Sequence, residues 1–454
     1  MHNPRKPYRR CLILVFALSI GVGSVGNAQA YDTYTADDLV QRTLVRHPLI
    51  AASQHTIDQF EARLIEARSA RIPRIKLKSV FAAIPGQKGN ALNGNTDFSP
   101  EAWGPFSSTE LSAALPLYTF GKIAQYKKLA ASGVDIAESQ HVLAKAEARQ
   151  QVLKAIATLY AAQEALEVVE DGKKYLDRAR KKLEELEEED SDDYDPTDLL
   201  RLRLVEVDTQ ENLSNVRELE RSAKSAIRAL AGLEADDPVQ LAPKGNWSAV
   251  PTDLTEKTCI EKALSDRPEM RALKSGLEAR KAAVDLAETQ FWPDLLLGGY
   301  VRYNVAPGAD NQASPFAYDP YNIFTGGLGI ILNWNLDIPS KMSSLRVARA
   351  SHGRLEAQGR AYTGALMEEV KMAFARHRMM QEQKRLAKRG KKAARGWLTA
   401  KFNLYDAGLA SYDDLTKALT AYFTRELKLL WANYRADLAY IALEQAVGSQ
   451  FSTQ

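Results

Sequence analysis

The 454-residue chain has two cysteines, Cys11 and Cys259, and the first lies within its opening thirty residues. One remaining thiol cannot build an intrachain disulfide, a CxxC pair or a zinc cluster. Histidine is scarce too: after the opening segment, His47, His55, His141, His352 and His377 show no HExxH or other metal spacing. There is no GxSxG elbow and no GxxxxGK[ST] loop, and "GGLG" at 326–329 sits in a strand-like run rather than ahead of a helix. These absences give the reading of a non-enzyme with no cofactor and no metal. Beyond the opening segment no apolar run reaches about 18 residues, so no further membrane helix is available.

The opening segment is different. Arg5, Lys6, Arg9 and Arg10 precede the apolar "CLILVFALSIGVG", and Ala28-Gln29-Ala30 offers a small-residue cleavage site, which together predict a signal peptide over residues 1–30. Removing it takes the formal net charge from +3 to −1, so the basicity belongs to export and nothing global points to nucleic acid. No cysteine stands beside the cleavage site to carry a lipid. With 45% apolar and 26% charged residues the remainder has the composition of a folded protein. It is expected either free outside the cytoplasm or inserted in a membrane as strands.

The chain repeats itself. Pro48 and Pro268 head Ala-rich helical runs, Pro73 and Pro293 end them, and both pairs are 220 residues apart. "AIRALAGL" at Gly232 matches "ALEQAVGS" at Gly448, and Leu199 matches Leu415, both at an offset of 216. Two copies of one unit are expected, residues 31–240 and 241–454. In the first copy a helical run at 37–72 leads to a strand pair at 74–84 and 107–117, with 85–106 read as a polar loop. A long helix at 121–190 and a second at 197–231 follow. In the second copy helices within 256–292 lead to strands at 294–305 and 323–337, a long helix at 341–404 and a helix at 411–447. The prolines end the first runs because proline removes a backbone donor and pushes its predecessor out of the helical region.

Proline is also absent from the stretches between Pro116 and Pro196 and after Pro339, which are rich in strong helix formers. Helices over 121–190 and 341–404 would be roughly 105 and 95 Å long, too long for a compact domain. Leu415, Leu419, Phe423, Leu427, Leu430, Tyr434, Leu438 and Ile441 recur about every 3.7 residues, the period of straight helix packing rather than of a left-handed coiled coil.

Each strand segment has about the length of a tilted membrane-spanning strand. Aromatics cluster at the segment ends: Trp103, Phe106, Tyr118 and Phe120 in the first copy, Trp292, Tyr321, Phe324 and Trp334 in the second. Barrel strands carry such girdles at the membrane interface, although a soluble antiparallel sheet with aromatic packing fits the strand pattern equally well. Four strands cannot close a conducting barrel, so strands that span a membrane would require several chains to share one.

The paired prolines, "LPLYTFGK" at 115–122 and "YDAGLASYDDL" at 405–415, in this order and duplicated, resemble the TolC-like outer-membrane efflux proteins along nearly the whole mature chain. The resemblance implies a mainly helical fold with four transmembrane strands per chain. It further implies a homotrimer whose 12-stranded barrel in outer-membrane lipid continues into a periplasmic helical tunnel, docking with a periplasmic adaptor protein and an inner-membrane transporter. The function implied is a passive exit duct for efflux or type I secretion. The alternative, an adaptor or helical scaffold of such a system, would need a lipoyl-like module and usually has one hairpin, against which the duplicated strand pairs argue.

Three departures from the family pattern stand out. His47 and Arg267 replace the usual Asn before the early proline, "LDIPSK" at 336–341 lacks a glycine like Gly121, and the acidic "EELEEEDSDDYDP" replaces a Tyr-x-x-Gly loop at the first tip. Glu187, Glu188, Glu189, Asp190, Asp192 and Asp193 form either a solvated charge run or, repeated around a closed tip, a mouth that favours cations. At the other tip the resemblance places a gating aspartate at Asp414, beside Asp413, and a second at Lys417. The bland alternative is helix capping, with Ser411 as N-cap and Asp414 at the third position. Asp195, Pro196 and Asp198 repeat that start in the first copy, which makes Asp198 the counterpart gate candidate.

Overall fold

The computed structural model describes residues 33–90, 95–189, 195–245, 254–311, 316, 318–407 and 409–448. The expected signal peptide and Asp190, Asp192 and Asp193 of the acidic tip lie outside the described residues.

Two short helices open each half: α1 (Ala36–Arg46) and α2 (Pro48–Ser69) in the first, and α5 (Glu256–Asp266) and α6 (Pro268–Thr289) in the second. Both openings begin with a threonine capping box, Thr35 with Asp38 and Thr255 with Thr258. Each pair is broken by one extended residue ahead of proline, His47 at ψ 123° and Arg267 at ψ 129°, the conformation that a following proline imposes. His47 then caps its own helix, its Nδ1 accepting from the Leu49 amide at 3.3 Å. The imidazole thus does the work of the Asn expected there.

Hairpins of strands follow. β1 (Arg74–Asn90) pairs antiparallel with β2 (Asn95–Tyr118), which pairs with β3 (Asp294–Val305), which pairs with β4 (Ile323–Asn333), giving one sheet in chain order. Residues 85–106, expected as a polar loop, instead continue the first hairpin. Past a register shift between Pro85 and Gly86 the ladder runs from Gly86↔Ser99 to Asn90↔Asn95. Pairing is a backbone property, so polar residues extend a ladder wherever neither face has to be apolar. Pro85, which has no donor, sits at the irregularity. β4 is shorter than expected and stops at Asn333.

Four long helices complete the chain: α3 (Lys122–Glu188), α4 (Pro196–Ala231), α7 (Ile338–Asp406) and α8 (Tyr412–Val447). With 67 and 69 residues, α3 and α7 are each roughly 100 Å long. The two strand-to-helix crossings differ. The first turns through left-handed residues, Phe120 at φ 48° and Gly121 at φ 90°. In the second Asp337 caps α7 by accepting from the Ser340 amide at 3.4 Å, with Pro339 in the first turn, so no glycine is needed and the helix starts before residue 341.

The main core lies where α1 and α5 meet the four long helices, and includes Leu39, Ile156, Leu159, Ile227, Cys259, Leu366, Val370, Ile441 and Leu443. Leu39 and Val40 of α1 and Cys259 and Ala263 of α5 enter it, so these short helices clamp the middle of α3 and α7 and the ends of α4 and α8. Arg267 is buried in the same region, bonding Glu269 and Glu369 and donating to the Ala446 carbonyl at 3.4 Å.

Candidate pore wall and helical tips

In a paired sheet, residues opposite one another share a face, and the register therefore sorts every strand side chain. One face presents Ile75, Leu77 and Phe81 from β1, Leu111 from β2, Val301 and Tyr303 from β3, and Phe324, Leu328, Ile330 and Leu332 from β4. All ten are exposed, Phe81 and Leu328 almost entirely. Over the register from Arg74 to Ile84 and its partners this face carries no charge. Every charged strand residue in that span falls on the other face: Arg74, Lys76, Lys78, Glu110, Asp294 and Arg302. The charged face is the concave one, enclosing about 910 Å³ between the strands and the start of α3.

Two ion pairs tie this concave face together. Arg302 donates to Glu110 Oε2 through Nε at 2.9 Å and Nη2 at 2.5 Å, directly across the β2–β3 register. Lys122 at the head of α3 reaches Asp294 at 2.8 Å and the Trp292 carbonyl at 2.9 Å, closing the strand-to-helix junction.

Expected girdle aromatics gather at the two ends of the sheet. Phe120 stacks on Trp292 with centroids 5.4 Å apart, Tyr118 packs edge-on against Phe120, and the Trp334 indole donates to the Phe291 carbonyl at 3.1 Å. At the far end Phe106 meets Tyr321 edge-on at 6.3 Å, and Trp103 stands exposed opposite Pro85. On the uncharged face the span from Leu295 to Tyr303 between them covers about 27 Å along the strand.

At the other end of the molecule three tip aspartates, Asp198, Asp413 and Asp414, are paired with bases. Ser411 caps α8 by accepting from the Asp414 amide at 3.2 Å. Asp414 accepts from Lys401 on α7 at 2.7 Å, and that hydrogen bond with the lysine's charge holds its carboxyl below the ordinary aspartate range. Lys417, where the resemblance places a second gating aspartate, donates to Asp413 at 2.5 Å, which raises the lysine's own pKa. Arg201 on α4 bridges Asp198 at 3.2 Å and Asp413 at 3.6 Å. Asp195 caps α4, accepting from the Thr197 amide at 2.8 Å, and that amide holds it below the ordinary range. Glu187, Glu188 and Glu189 lie exposed at the end of α3. The structure therefore joins Asp198 to Asp413 through Arg201 and turns Asp414 towards a different helix.

Sequence reading missed the basic partners. Arg201 lies three residues after Asp198 and Lys417 four after Asp413, both legible as helical spacings. Lys401 comes from across the hairpin and leaves no local signal.

Residues 39–232 and 259–449, most of both halves, match the family described as outer membrane efflux protein. The chain belongs to the outer membrane efflux protein family. Solved structures with the same fold include the outer membrane protein VceC of Vibrio cholerae, at TM-score 0.73 and 18% identity over 92% of this chain and 97% of that one. The Campylobacter jejuni CmeC outer membrane channel matches at TM-score 0.74 and 13% identity, over 96% of this efflux protein and 95% of that chain. The open state of the Neisseria gonorrhoeae MtrE outer membrane channel matches at TM-score 0.72 and 16% identity, over 94% of each. No curated protein sequence matched.

Proposed function

We propose that this efflux protein is a passive duct in which three copies close one 12-stranded barrel across the outer membrane and one helical tunnel in the periplasm. The two-faced sheet carries this reading: an uncharged apolar face fits lipid, and a concave charged face fits a water-filled lumen. β1 and β4 are the sheet's outer strands, each with one edge unpaired among the described residues, so β4 of one copy continues into β1 of the next. Exposed Leu200, Leu204 and Val207 on α4 and Met372, Met379 and Leu386 on α7 form apolar stripes for neighbouring copies to cover. Trp103, Phe106, Tyr118, Trp292, Tyr321 and Trp334 sit at the two interfaces.

Residues 1–30 direct export. The tips, with Asp198, Asp413 and Asp414, form the periplasmic gate, opened by an adaptor and an inner-membrane transporter in an efflux or type I secretion system. The exposed glutamates Glu187 to Glu189, with Asp190, Asp192 and Asp193, give the mouth a negative field. Crosslinking of the detergent-extracted protein should give a trimer, and planar bilayers should show discrete conductance steps. A monomer without conductance, from folded protein, would replace the duct with a periplasmic scaffold.

A further inference from the structure

The concave face of the sheet is not neutral. Glu110 is taken by Arg302 and Asp294 by Lys122, which leaves three cations on β1, Arg74, Lys76 and Lys78, exposed on that face. Lys78 lies opposite Glu110 in the register, yet Glu110 turns to Arg302 on the other side. Among the described residues, Arg74, Lys76 and Lys78 form no ion pair, and β4 contributes only uncharged residues to the same face. At the tips Asp198, Asp413 and Asp414 are each met by a base, whereas Arg74, Lys76 and Lys78 meet no carboxylate among the described residues, so the concave face of the sheet carries a net positive charge.

We infer that Arg74, Lys76 and Lys78 form an anion-selecting belt inside the barrel, fitted to small solutes that carry carboxylate or phosphate groups. The inference rests on the duct proposed above. Alternate residues of one strand place the three charges over about 13 Å of strand length, and three copies give nine cations around one lumen. A 12-stranded barrel with strands about 4.8 Å apart and tilted about 40° has a backbone radius of about 12 Å. Side chains reach inward from that wall, so a solute on the axis lies within about one Debye length, 8–10 Å, of several of the charges. Low-dielectric walls then focus the field along the lumen instead of letting it spread. Lys and Arg rings are a recognised way to build such a preference.

The decisive measurement is the zero-current potential of the full trimer in planar bilayers under a tenfold potassium chloride gradient, repeated with potassium glutamate. The belt should shift the wild-type ratio towards the anion, against the negative field of the tips. Replacing Arg74→Gln, Lys76→Gln and Lys78→Gln together should lower the anion-to-cation permeability ratio about sevenfold for each kT of lumenal potential removed. Lys76→Glu with Lys78→Glu should carry the ratio further towards cations. Neutralising Glu187, Glu188 and Glu189 to Gln serves as the comparison at the opposite end and should leave the shift from the belt variant intact. Conductance with an unchanged ratio in trimeric belt variants would overturn the belt and leave the duct standing. Absence of conductance from the wild-type trimer would overturn both.

Discussion

Among single residues, Arg267 carries the largest structural demand. Its side chain is 8% exposed, and burial alone would weaken its hold on the proton. Bonds to Glu269 at 2.6 Å and Glu369 at 3.0 Å more than offset this and keep it charged. Removing one member of a buried pair strands the other's charge, so Arg267→Leu should cost about 3 kcal/mol, the low end of such losses because Glu369 is half exposed. The denaturant midpoint of the detergent-solubilised protein reads it. Gly448 depends on the same residue. At φ +74° an added Cβ would stand 2.7 Å from Arg267 Cγ and 3.1 Å from its Cα, so neither conformation nor space admits alanine.

His377 makes the second residue-level case. It is buried against Tyr440, its Nδ1 lacks a hydrogen-bond partner among the described residues, and burial holds its pKa below the ordinary histidine value. Above about pH 6.5 neither the folded nor the unfolded state binds the proton. Below it the unfolded chain takes up a proton that the folded one refuses, so stability falls as pH falls, by up to about 1.4 kcal/mol per pH unit. His377→Leu should flatten that decline between pH 6.5 and 5.5 in thermal melts. A remainder should persist from His141, which burial and then Lys145 also depress.

At the scale of elements, the α8 start tests whether capping and gating can be separated. Ser411→Ala removes the side-chain acceptor of the Asp414 amide and should cost about 1 kcal/mol of local helix stability. Hydrogen exchange should quicken over the first turn of α8 while the α3–α4 tip is unchanged. Helix starts and stops were legible because their determinants are local: Ser411, Asp195 and the four prolines at 48, 73, 268 and 293 act on their immediate neighbours. The β1–β2 extension past Pro85 was not, because its residues mark a polar surface and only the partner strand decides that they pair. The second strand-to-helix crossing was also hidden, since Asp337 and Pro339 replace the expected glycine by a different turn. Of the candidate sites, Asp413 and Asp414 could be read as a capped acidic start, whereas Lys401 reaches Asp414 from the neighbouring helix. The alternation of Arg74, Lys76 and Lys78 was open to reading in sequence, but its meaning required knowing which face is concave and which carboxylates are already taken.

For the whole molecule the question is how two hairpins of long helices come apart at their ends. Within each hairpin, ion pairs hold the partners: Arg180 to Glu206 across α3 and α4, and Lys391 to Glu426 and Lys401 to Asp414 across α7 and α8. Close to the tips Arg201 alone among the described ion pairs reaches from one hairpin to the other, meeting Asp413 at 3.6 Å. A motion that keeps each hairpin intact and swings it outward would break this contact and leave the others unchanged. Arg201→Ala should therefore raise the frequency of open conductance steps in planar bilayers, whereas Lys391→Ala, which loosens a hairpin internally, should not. The arginine contact is exposed and screened, so the effect should shrink as salt rises from 0.1 M towards 1 M, where the Debye length falls to about 3 Å. Equal opening by both variants would mean that the hairpins unwind rather than swing.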